Sequence, residues 1–145
     1  MIVYLDASAL VKRYISEAGS RETERLIERA SAVATSVVSR AEVAAGLARA
    51  GRLRVISQND AASALQVFRS QWPDYLRLQV TETLIARADA LAWDQGLRGY
   101  DAVHLAAAIV WQETIGESVT LATFDRQLWS AGGRIGLTPW PATLA

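Results

Sequence analysis

Ile2-Val3-Tyr4-Leu5-Asp6 is a run of four apolar residues, the first two β-branched, that stops abruptly at a carboxylate. A short apolar run without alternation reads as a strand buried on both faces, as strands of parallel sheets are. The rest of the chain supports that reading. Residues 8–15 have helical spacing, with Leu10, Val11 and Tyr14 on one side, and residues 20–30 suggest a second helix with an outer charged face. Residues 32–38 are strand-like. Ser39-Arg40-Ala41-Glu42 then fits a capping box at a helix start. A helix over residues 58–72 is followed by Pro73, and residues 75–80 alternate like a strand. Residues 81–95 read as a helix closed by Gly96, and residues 100–113 form the most apolar helix. Residues 119–122 are a strand, 125–131 a short helix stopped by Gly132-Gly133, and 134–138 an edge strand. Strands alternating with helices predict an α/β fold, a mostly parallel central sheet flanked by helices on both faces.

The chain has 145 residues, no cysteine, and 15 basic against 15 acidic side chains. One domain spanning residues 1–145 is expected. No apolar run is long enough to cross a bilayer, and the first residues lack a basic, signal-like start, so a cytoplasmic protein without membrane attachment is expected. A net charge of zero argues against coating nucleic acid by bulk electrostatics. It leaves room for an enzyme that engages a few phosphates locally.

In open parallel sheets the ligand crevice lies beyond the carboxyl ends of the strands. Asp6 and Asp125 fall at that edge, while Glu42 and Asp101 fall in the first turns of predicted helices. Each alone is explained as a helix cap or a dipole partner. Four together are costlier, because crowded carboxylates force protons onto one another unless a cation is present. Oxygen donors without cysteine suit magnesium, with manganese as a substitute, rather than zinc. One or two such ions activate water and stabilise a phosphodiester under attack.

Four stretches carry a resemblance to a known family. They are residues 3–11 (Val3-Tyr4-Leu5-Asp6-Ala7-Ser8-Ala9-Leu10-Val11), residues 39–42, residues 97–106 (including Gly99-Tyr100-Asp101-Ala102-Val103-His104) and residues 121–128 (Leu121-Ala122-Thr123-Phe124-Asp125-Arg126-Gln127-Leu128). In this order and spacing the chain resembles PIN-domain ribonucleases, specifically the VapC toxins of bacterial toxin–antitoxin pairs. The resemblance implies a PIN-like fold and a magnesium-dependent endoribonuclease acting on RNA and held inactive by a cognate VapB-type antitoxin. It further implies a homodimer. Carried over by residue, Asp6 and Asp101 are the principal metal ligands. Glu42 and Asp125 bind directly or through water, and Ser8 and Thr123 orient carboxylates or waters.

His104, the only histidine, reads as a structural residue beside the cluster rather than a general base, and Arg98 as a solvated loop arginine rather than a contact to substrate phosphate. Lys12 and Arg13 either line the cleft or are plain surface charge. Trp72, Trp93 and Trp111 read as core or near-core, and Trp140, between two prolines, as exposed. Aspartate-based phosphatases are disfavoured because Ser8 stands where they need a second Asp. Receiver domains need a late lysine, and Lys12 is the only lysine. A housekeeping RNA-processing nuclease and a non-catalytic binding module remain as alternatives.

Overall fold

The computed structural model describes residues 1–144. Five strands, β1 (Ile2–Leu5), β2 (Ala32–Ser36), β3 (Leu76–Leu78), β4 (Val119–Ala122) and β5 (Thr138–Trp140), form one sheet in the order β3-β2-β1-β4-β5. Every pairing is parallel. The apolar opening run is therefore the central strand. Seven α-helices connect the strands: α1 (Ala7–Leu10), α2 (Ser20–Arg29), α3 (Ser39–Arg52), α4 (Gln58–Gln71), α5 (Glu82–Gln95), α6 (Gly99–Ile115) and α7 (Arg126–Arg134). Among the described residues no helix is long and apolar enough to cross a membrane.

Alternation along β1 builds two cores. Val3 and Leu5 face α1–α4, packing with Leu10, Leu26, Val43, Leu47, Phe68 and Trp72. Tyr4 faces the opposite side, among Leu84, Ala88, Leu105, Ala108, Leu121 and Leu128. Both faces of the sheet are thus covered, as a parallel sheet requires. The order of strands grows outward from β1 to β3, then jumps back so that β4 lies on the other side of β1. The crevice of an open α/β sheet forms at such a reversal, here at the carboxyl ends of β1 and β4.

Several local expectations need correction. The capping box at Ser39 is not formed. Val38 occupies the cap position without a side-chain hydrogen bond. The buried Ser39 hydroxyl lies 2.6 Å from that of Thr35, and the Glu42 carboxylate turns elsewhere. Trp93 is 89% exposed, because α5 buries the stripe of Leu84 and Ala88 and Trp93 falls outside it. Trp72 and Trp111 are buried as expected. Trp140 is half-buried rather than exposed, its ring edge-on to Phe124. Residues 11–13 of the first predicted helix tighten into a 3₁₀ turn.

Helix α7 does not stop at Gly132-Gly133 but runs through both to Arg134. A Cβ on Gly132 would stand 2.6 Å from Leu121 Cδ2. This glycine is there for close approach of helix to strand. The turn follows at Gly136, whose φ of 99° suits glycine, so the last strand begins at Thr138 rather than at 134. Gly132→Ala is expected to destabilise by about 1–3 kcal/mol through overpacking, despite alanine's better helix propensity. Urea denaturation checks this, and a neutral or stabilising effect would contradict the packing account.

Candidate active site

The exits of β1 and β4 lie side by side, and each leads to an acid. Asp6 is 3% exposed. Its Oδ1 accepts from the Ser8 hydroxyl at 2.7 Å and the Ala9 amide at 3.0 Å, the second bond capping α1. Its Oδ2 accepts from the Thr123 hydroxyl at 2.6 Å. Thr123 Oγ1 also accepts the Asp125 amide at 3.0 Å, and Ser8 Oγ the Phe124 amide at 2.9 Å. Two hydroxyls therefore tie both strand exits around one carboxylate. Burial pushes the Asp6 carboxyl up from its ordinary range, while the charge of His104 and the bonds from Thr123, Ser8 and Ala9 pull it down less strongly.

Asp125 caps α7, its Oδ1 accepting the Leu128 amide at 3.0 Å. Its Oδ2 meets Arg98 Nη2 at 2.7 Å. The same guanidinium nitrogen lies 3.0 Å from Asp101 Oδ2, in the first turn of α6. Arg98, 73% exposed along its side chain, thus stands at the water boundary between two acids 24 residues apart. Burial raises the Asp101 carboxyl, with the charge of Asp125 adding to it and Arg98 and His104 opposing.

Glu42, in the first turn of α3, places Oε1 2.7 Å from His104 Nε2. His104 is 2% exposed, and its Nδ1 lies 2.7 Å from the Tyr4 hydroxyl. Burial lowers the imidazole pKa, but the Glu42 hydrogen bond and the charges of Asp6, Glu42 and Asp101 outweigh it, so the net direction is upward. Burial holds the Tyr4 phenol well above its ordinary range, with Asp6 adding to the effect.

Glu42, Arg98, Gly99, Tyr100 and Asp101 line an open pocket of about 550 Å³. It opens at the first turns of α3 and α6, where helix dipoles and free amides favour anions. Capping explains one oxygen each of Asp6 and Asp125. It leaves Glu42, Asp101 and the second oxygens of Asp6 and Asp125 without that explanation.

The donor set fits a hard divalent cation: carboxylate and hydroxyl oxygens, with the one histidine committed at both ring nitrogens. Arg98 Nη2 is a stand-in positive charge between Asp101 and Asp125. Among the described residues no group of three or more His, Asp or Glu side chains is arranged to hold an ion as it stands. Each acid is instead engaged by an internal partner.

Sequence reasoning missed Tyr4, and it weighed Arg98 without its pairing to two of the acids. The spacing of Arg98 and Asp101, three residues apart on a helix start, was a readable signal. The pairing of Arg98 with Asp125 was not. Lys12 and Arg13 do not reach the acids. Lys12 bonds Glu17 and the Ala18 carbonyl, and Arg13 bonds the Tyr75 hydroxyl and pairs with Glu24.

The family model described as PIN domain matches residues 3–133. The chain belongs to the PIN-domain family. This PIN domain is 33% identical over 144 residues to Ribonuclease VapC45 of Mycobacterium tuberculosis (strain CDC 1551 / Oshkosh), covering 99% of the chain and 97% of that relative. Among solved structures it is similar to PAE2754 from Pyrobaculum aerophilum, with a TM-score of 0.67 and 21% identity, covering 96% and 89% of the two chains. It is also similar to a chain of a toxin-antitoxin complex from Klebsiella pneumoniae, with a TM-score of 0.63 and 19% identity, covering 85% and 86%. These two likenesses attest the PIN fold.

Proposed function

We propose that this PIN domain is a divalent-metal-dependent endoribonuclease and the toxin half of a toxin–antitoxin pair. The observation that carries the reading is the meeting of Asp101 and Asp125 on one cationic nitrogen, beside the buried Asp6. The near-full-length likeness to a relative named ribonuclease supports it. Asp6 and Asp101 would hold the cation, magnesium or manganese, with Glu42 and Asp125 engaged directly or through water. A cation bound there supplies Lewis-acid activation of water and offsets the charge that develops on phosphate.

The chain's own groups do the rest. Ser8 and Thr123 fix the Asp6 carboxylate by donating to both its oxygens. Arg98, exposed and among the described residues held by acids alone, is free to swing onto an RNA phosphate once a cation takes over its role. The N-terminal turn of α6 presents backbone donors toward the same pocket.

The antitoxin belongs to the same reading, supported by the toxin-antitoxin complex among the structural neighbours, and a homodimer is part of the proposal. An apolar groove of about 440 Å³, lined by Ile85, Ala88, Ala92, Tyr100 and Val103, meets the acidic pocket at Gly99 and Tyr100. It is where an antitoxin segment would dock. Trp93, 89% exposed on α5, offers apolar surface that a second copy would cover.

Incubating the purified chain with total RNA, with magnesium and then with EDTA, tests the reading. Cleavage only with metal is expected. No cleavage of any RNA, with metal bound, would favour a binding module. Growth arrest on expression, relieved by a co-expressed partner, separates a toxin from a processing enzyme.

The carboxyl pKa directions add a pH dependence. Asp6 and Asp101 are both raised, so protons compete with the cation above the ordinary carboxylate range near ~3.9. The magnesium concentration needed for half-maximal cleavage is therefore expected to rise as pH falls toward the carboxylate range, and to do so at higher pH than ordinary carboxylates would give. In the metal-free protein these raised groups bind protons more tightly folded than unfolded. Their contribution to stability is present at low pH and lost as pH rises through their folded values, and magnesium reverses the loss at neutral pH. Melting curves across pH, with and without magnesium, check both signs.

A further inference from the structure

The acids differ in how they are held. Asp6 receives three hydrogen bonds, and Asp125 is fixed by the Leu128 amide and Arg98. Glu42 has the longest side chain of the four and a carboxylate on the open rim, 30% exposed. Among the described residues its side-chain partner is His104 alone.

That partner is unusual in being buried and committed at both ends. A carboxylate only accepts, so the Nε2 facing Glu42 Oε1 carries a hydrogen. The Tyr4 hydroxyl at Nδ1 prevents the ring from turning over. Tyr4 belongs to β1, two residues before Asp6. A rigid bridge thus runs from the central strand through α6 to the first turn of α3.

We propose that Tyr4 and His104 are positioning residues that hold the Glu42 carboxylate ready for a divalent cation. The proposal rests on the metal-site reading above and deepens it. Outer-shell partners of this kind set metal affinity by about 10–100-fold. A histidine that merely fills the core would leave that affinity unchanged.

Two substitutions separate these roles. In His104→Gln the side-chain amide reaches the former Nε2 position and keeps a donor toward Glu42. In His104→Asn the amide lies near the former Nδ1 position and meets Tyr4 only. Mn²⁺ binding, followed by electron paramagnetic resonance and calorimetry, is expected within about threefold of wild type for His104→Gln. It is expected to be at least about tenfold weaker for His104→Asn. In a Glu42→Gln background, His104→Asn should add no further loss. Tyr4→Phe, close to isosteric, provides the same measurement should His104→Asn fail to fold, and is expected to weaken binding severalfold.

Unchanged Mn²⁺ affinity in folded His104→Asn or Tyr4→Phe, or an equal loss in the Glu42→Gln background, overturns the positioning role alone. Wild-type protein that binds no Mn²⁺ overturns the metal-site reading and the purpose assigned here with it. Nitrogen-15 spectra of the metal-free protein give an independent arm. A His104 ring without hydrogen on Nε2 overturns the bridge whatever the metal does.

Discussion

Asp101→Asn is expected to lose RNA cleavage by at least a factor of about 100 while melting at or slightly above the wild-type temperature. A ligand carboxylate supports charge stabilisation worth several kcal/mol at a metal site, and about 1.4 kcal/mol is a factor of ten in rate. Stability moves the other way for a stated reason. Burial and the neighbouring Asp125 both disfavour the charged form of Asp101, and its partner Arg98 is largely exposed. Asparagine has the same shape and removes the like-charge contact. Single-turnover cleavage and a melting curve on one preparation give both numbers. Wild-type cleavage by Asp101→Asn would remove this residue from the chemistry, and inactivity with collapsed stability would make the result structural.

Phe68→Ala is expected to destabilise by about 3–5 kcal/mol. Phe68 on α4 is fully buried, edge-on to Tyr14 at 5.2 Å and to Trp72 at 5.5 Å between ring centroids. Helix α4 lies on the face of the sheet away from α6, so cleavage per folded molecule should survive. Against a typical net stability of about 5–15 kcal/mol, the loss is large enough to leave an unfolded fraction on warming. Urea denaturation with an unchanged slope measures it. A cost below about 1 kcal/mol would mean the aromatic cluster is looser than its packing implies.

The central strand and its terminal acid were legible because a short, partly β-branched apolar run that stops at a carboxylate suits a doubly covered strand. The stretch at residues 119–122 was equally clear, with polar residues close on either side. Asp125 as a cap was local chemistry and therefore readable. The errors arose where a distant neighbour overrode a local signal. Ser39 prefers the Thr35 hydroxyl to its own helix start. Gly132 answers to Leu121 rather than to the rule that glycine ends helices. The internal partners of the site are the extreme case. Tyr4 and His104 are separated by 100 positions, and His104 and Glu42 by 62, with no periodicity to link them. Types and approximate places of the acids were visible in the sequence, and the family resemblance pointed to Ser8 and Thr123 beside Asp6; the distant partners of Glu42 and Asp125 were not.

The placement of β4 directly beside β1 has a consequence for how this protein is made. Asp6 is synthesised 117 residues before Thr123, whose hydroxyl secures it, and before Asp125 behind that. A ribosome-bound fragment that ends before residue 119 carries three of the acids but neither β4 nor the Thr123 hydroxyl that fixes Asp6. The four acids are thereby gathered at one sheet edge only once β4 has slotted beside β1.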